Sequence, residues 1–165
     1  MSTIVHNLPP IYDSNSKILI LGSFPSVKSR EEKFYYAHPQ NRFWSVIAAV
    51  FEQDMPRTTE EKRAFLLRNG IALWDVIASC EIGGSADQTI RNVVPNDLTP
   101  ILNAADIGEI FVNGRTAEKF FHKLISPAIG RKAVYLPSTS PANAAMSLEQ
   151  LVQIWKVIRR FPGTE

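Results

Sequence analysis

The chain has 165 residues, 45% apolar and 21% charged, as expected for one globular domain over residues 1–165 with its own core. A single cysteine, Cys80, excludes an intrachain disulfide and a four-cysteine metal site, and three scattered histidines offer no helical metal pair, so no metal or cofactor is expected. The net charge is only +2, no apolar run nears the ~18 residues of a membrane span, and the N-terminus has no signal-like segment, so a cytoplasmic protein is expected.

The apolar run at residues 17–22 predicts a buried strand, which ends at Gly22-Ser23-Phe24-Pro25-Ser26. A long polar and aromatic loop follows. Phe43, Trp44, Ile47, Val50 and Phe51 then fall at helical spacing, predicting a helix over 41–52. Thr58 and Glu61 have capping-box spacing and Asn69-Gly70 is a stop, predicting a helix over 59–69. Residues 71–78 read as a second strand and 80–95, rich in Gly, Ser and Asn, as irregular. A short helix is expected over 97–104 with Asn96 as its cap, a strand over 108–112, a helix over 115–124 and a strand over 132–136. The last helix starts after Ser147, with Gln150 at capping-box spacing.

Strands separated by helices predict a mainly parallel sheet covered on both faces. The polar loops after each strand would then gather at one edge, where such folds hold ligands. Ser23–Asn41, Asp75–Asn92, Asn113 and Ser138–Asn143 would meet there. Lys28, Arg30, Lys33 and Arg42 flank the first loop, and Arg115, Lys119, Lys123, Arg131 and Lys132 come later. They are either phosphate contacts or ordinary solvated cations. The Walker GxxxxGK[ST] and Rossmann GxGxxG motifs are absent, which argues against P-loop and dinucleotide enzymes.

Gly22-Ser23-Phe24-Pro25-Ser26 resembles the first active-site motif of the uracil-DNA glycosylase superfamily. Ala37-His38-Pro39-Gln40-Asn41-Arg42-Phe43-Trp44 is similar to the H-P-x-N-R-F-W segment of its mismatch-specific branch. Ser138-Thr139-Ser140-Pro141-Ala142-Asn143 falls where the second, DNA-inserting motif lies. Together they look most like the hypoxanthine-DNA glycosylase branch. The resemblance implies a three-layer α/β/α sandwich around a four-stranded, mainly parallel sheet. Two departures stand out: Phe24 replaces the Asp or Asn that orients water, and Ser138 and Ala142 replace the catalytic His and the Leu wedge.

In that branch a polar residue outside motif one takes over, and here the match is Asn41, which either orients water or caps the helix it precedes. Ser23, Phe24, Tyr36, Asp75 and Asn113 are candidates to hold the base. Phe24 and Tyr36 would stack on it and Asn113 would read its edge, unless they serve core packing and turn chemistry. His38, Ser138, Ser140, Pro141 and Asn143 are candidates for DNA contact. The implied activity is a monofunctional DNA glycosylase for hypoxanthine, acting as a monomer on DNA with deaminated bases. A mismatch-specific uracil glycosylase, a non-catalytic DNA- or nucleotide-binding module and a small-molecule nucleosidase are the alternatives.

Overall fold

In the computed structural model, residues 3–82 and 90–160 are described. Their strands are β1 (Thr3–Val5), β2 (Ile18–Gly22), β3 (Ile71–Asp75), β4 (Ile77–Glu81), β5 (Arg91–Pro95), β6 (Glu109–Asn113) and β7 (Val134–Leu136). The helices are α1 (Val27–Glu32), α2 (Phe43–Val50), α3 (Thr59–Arg68), α4 (Thr99–Ala104), α5 (Arg115–Phe120), α6 (Ser126–Ile129) and α7 (Leu148–Trp155).

Four parallel strands form the central sheet in the order β3-β2-β6-β7. Every residue of β2 is buried, and its side chains alternate between two cores. Ile18 and Ile20 pack with Phe43, Phe65 and Trp155 of α2, α3 and α7. Leu19 and Leu21 pack on the other face with Ile101 and Ala117 of α4 and α5 and with Phe121. This is the expected α/β/α sandwich, and each buried Leu or Ile contributes about 1.5–3 kcal/mol. From β2 the chain moves outward to β3, then crosses back to β6. The direction reverses beside β2, so a crevice opens at the carboxyl ends of β2 and β6.

Several elements differ from the sequence reading. The strand expected over 71–78 breaks at Val76. The Val76 N–H donates to the Gly22 carbonyl (2.8 Å) and the Ile77 N–H to that of Ser23 (3.1 Å), bending the chain across the end of β2. Beyond the bend, β4 joins β1 and β5 in a separate three-stranded antiparallel sheet. Part of the segment read as irregular is therefore strand; residues 83–89 of it lie outside the described residues. Register shifts between β4 and β5 explain why no clean alternation marks them. Asn96 does not cap α4. Leu98 holds that position, while the Asn96 amide donates to the carbonyls of Asp75 (2.9 Å) and Ile77 (3.3 Å) and stitches the bend. The helix expected over 115–124 turns π-helical over Phe121–Ile125. Both capping boxes, Thr58 with Glu61 and Ser147 with Gln150, form as the spacing predicts.

Candidate active site

A cleft of about 750 Å³ lies at the carboxyl ends of the parallel strands. The four loops expected to converge all contribute to it. Ser23, Phe24, Tyr36, His38 and Asn41 come from the first, Asp75 from the end of β3 and Asn113 from the end of β6. Ser138, Ser140, Pro141 and Asn143 follow β7.

At the floor, a Cβ on Gly22 would run into Asp75 Oδ1 and Tyr36 Oη. Glycine is there to let a carboxylate and a phenol close over the end of β2. Asp75 is 3% exposed. Its Oδ2 lies 2.8 Å from His6 Nε2, and the His6 side chain is itself nearly enclosed. The Leu8 N–H donates to His6 Nδ1 (3.2 Å), so the neutral imidazole carries its proton on Nε2 and donates it to Asp75. His6 was not anticipated: it lies in the segment after β1, 69 residues from its partner, and no local pattern links them.

Burial, then the Asp75 charge, pushes the Tyr36 phenol well above its usual range, so it remains protonated. Its ring stacks on Phe43 at 4.1 Å and 17°. Tyr35 is buried, and its hydroxyl donates to the Pro9 carbonyl at 2.8 Å.

Thr139, fully buried, ties the loops together. Its N–H donates to Asn113 Oδ1 (3.1 Å), and its Oγ1 accepts from Asn113 Nδ2 (3.1 Å). The same hydroxyl donates to Asn41 Oδ1 (2.9 Å). Asn113 Nδ2 also donates to Tyr36 Oη (3.2 Å). Both amide hydrogens expected to read a base edge are thus engaged within the protein, and Asn113 braces the cleft floor. Asn41 Oδ1 accepts a second hydrogen bond, from the Phe43 N–H (2.9 Å). The oxygen expected to accept from water is therefore already filled by two donors. What Asn41 retains is its NH₂ group, whose orientation those two bonds determine.

The loop after β7 is braced from within. Ser138 Oγ accepts from the Ser140 N–H (3.0 Å), Ser140 Oγ from the Ala142 N–H (3.1 Å), and Asn143 Nδ2 donates to the Ser138 carbonyl (2.9 Å). Neither hydroxyl uses its own hydrogen in these bonds. Arg42, one of the cations flanking the first loop, is a clamp. Its guanidinium donates to the carbonyls of Met146 (2.6 Å) and Asn143 (2.9 Å), and its N–H to that of Thr139 (3.0 Å). His38 Nδ1 accepts from the Gln40 N–H at 3.1 Å. Arg115, at the rim, lies 3.6 Å from the Tyr135 ring centroid and pairs with Glu118 at 2.7 Å.

Among the described residues no cluster of His, Cys, Asp or Glu suits a metal ion, and no helix is long and apolar enough to cross a membrane.

Comparison with known proteins gives this cleft its context. The family model of the uracil DNA glycosylase superfamily matches residues 9–159. A protein of Methanosarcina acetivorans named hypoxanthine DNA glycosylase is 32% identical over 159 residues, covering 95% of this chain and 99% of that protein. One of the same name from Methanosarcina barkeri is 32% identical over 137 residues, 82% of this chain and 85% of that one. A solution NMR structure of a Methanosarcina acetivorans protein, described as a candidate uracil DNA glycosylase, superimposes with a TM-score of 0.78 at 29% identity. It covers 95% of this chain and 100% of that chain. From the match over nearly its whole length and the shared fold, the chain belongs to the uracil DNA glycosylase superfamily and is a DNA glycosylase.

Proposed function

We propose that this glycosylase hydrolyses the N-glycosidic bond of hypoxanthine in DNA and leaves an abasic site. The observation that carries the choice of base is Asp75, a buried carboxylate on the cleft floor whose second oxygen is held by His6. An ionised carboxylate only accepts hydrogen bonds. Hypoxanthine offers it the N1–H beside its carbonyl, a donor it shares with guanine, whereas adenine presents a lone pair at N1 and is repelled, so Asp75 favours hypoxanthine over the adenine it arises from. The names of the two relatives at 32% identity support the same base. Phe24, where a water-orienting Asp or Asn would sit for uracil chemistry, also supports it.

The nucleotide would leave the duplex and enter the cleft with its base beside Tyr36, which lines it. As the C1′–N9 bond breaks, its electron pair stays on the purine and positive charge grows on the sugar. Water then adds to C1′, and its proton is released as the purine becomes protonated. The sugar cation is strongly electrophilic, so placing the water matters more than deprotonating it. The NH₂ of Asn41 fits that positioning role. Among the described residues no lysine lines the cleft to act as a Schiff-base nucleophile, which supports base release without strand cleavage.

The test uses labelled duplexes carrying hypoxanthine, uracil, xanthine or adenine, with and without alkali. The expected result is alkali-dependent cleavage of the hypoxanthine strand, slower cleavage at uracil, and none at adenine. Absence of product from hypoxanthine DNA, duplex and single strand, would overturn the proposal.

A further inference from the structure

The carboxylate that selects the base poses an electrostatic problem. Negative charge accumulates on the departing purine, and Asp75 opposes it, so cationic or hydrogen-bonding groups elsewhere must offset this. The basic residues in and beside the cleft differ in their partners. Arg42 donates to two loop carbonyls. Arg115 pairs with Glu118, and Lys28 with Glu32 at 2.9 Å.

Arg30 is different. It projects from α1 into the cleft lining, and its guanidinium carbon lies 5.7 Å from the Phe24 ring centroid. Its Nε is buried and, among the described residues, has no hydrogen-bond partner. Leaving a charged donor dry and unpaired costs about 1–3 kcal/mol or more. The Phe24 ring in turn meets His6 edge-on at 5.9 Å, so one wall runs carboxylate, imidazole, phenyl, guanidinium.

We infer that Arg30 is a substrate-binding residue whose guanidinium donates to an acceptor oxygen of the everted nucleotide. That oxygen belongs either to a phosphate flanking the lesion or to the leaving base; both offer the same chemistry to a planar cation. Phe24, having lost the polar side chain of its motif position, acts as the platform that keeps the guanidinium in place. The inference rests on reading the cleft as the pocket for an everted deoxynucleotide, and is independent of which base is released.

The experiment compares Arg30→Met, which keeps an apolar stem on Phe24, with the unmodified chain. One assay is anisotropy binding to a duplex with a tetrahydrofuran abasic analogue across a salt series. The other is single-turnover release of hypoxanthine. A phosphate contact predicts affinity for the analogue duplex lowered about tenfold to a hundredfold, with the salt slope reduced by about one. A methylphosphonate at the contacted position would erase the difference between the two proteins. A base contact predicts unchanged binding to the analogue, with hypoxanthine release slowed by a similar factor. Both results support the inference. A folded Arg30→Met protein equal to the unmodified chain in both assays overturns it. If Arg30→Met fails to fold, Arg30→Lys replaces it with an expected loss of about tenfold, since an ammonium cannot present the planar fork. Unmodified values would again overturn the inference. Tight binding to the analogue without hypoxanthine release counts against the substrate assignment alone, and the binding arm still reads Arg30.

Discussion

Thr139 Oγ1 donates to Asn41 Oδ1 at 2.9 Å, joining the loop after β7 to the start of α2 across 98 residues of sequence. This contact and the Phe43 N–H saturate the carboxamide oxygen. Asn41 stands one residue before Arg42, the N-cap of α2, so the cap expected of it is not formed; its oxygen braces the fold and its NH₂ is not used by these two bonds.

Asn41→Asp separates those roles. Aspartate can accept from both donors, but it has no NH₂. The variant should fold with near-normal stability and release base about a hundredfold or more slower in single turnover, the usual effect of removing a positioned donor. A near-normal rate would leave Asn41 only the role of bracing the entry to α2 and the loop after β7.

Thr139→Val removes the hydroxyl while keeping the shape. It strands the Asn113 amide and one lone pair of Asn41 in a buried setting. A stability loss of about 1–3 kcal/mol is expected in urea unfolding. Thr139→Ser, which keeps the donor, should recover most of it.

His6→Ala leaves the Asp75 carboxylate buried without its partner. Removing the donor from a buried acceptor in this way costs about 1–3 kcal/mol or more. His6→Gln, with an amide donor, should restore part of the stability and part of the preference for hypoxanthine over adenine. Equal stability of the Ala and native chains would show that the pair contributes nothing net.

Gly22→Ala places a methyl group against Asp75 Oδ1 and Tyr36 Oη. Overpacking of this kind costs about 1–3 kcal/mol, and the displaced carboxylate should lower base release more than stability. Single-turnover rates set beside melting curves measure both.

Alkaline pH should weaken the fold. Burial raises the folded-state values of Tyr35 and Tyr36 above the ordinary 10.0, with the Asp75 charge as the second cause. Above about pH 10 the unfolded chain loses these protons while the folded one keeps them, so stability falls as pH rises. Urea midpoints at pH 8 and pH 11 should differ, and Tyr36→Phe should shrink the difference.

Much of this was legible in the residues themselves. The two capping boxes, the strand at 17–22 and the amphipathic last helix follow from local preferences and period, and they form as spelled. Alternating strands and helices implied the parallel sheet, and the sheet implied which loop ends meet. The candidate side chains all line one cleft because topology alone brings strand ends together. What local pattern could not supply was the choice of partner. The Val76 bend, the second sheet and the pairing of His6 with Asp75 depend on contacts between distant segments. The same holds for the saturated oxygen of Asn41 and the unpaired Nε of Arg30. Sequence determined the fold class and the cast of polar groups. Only tertiary structure decided which of their donors and acceptors were consumed by the protein and which were left for a substrate, because a hydrogen bond depends on where both of its ends lie in space.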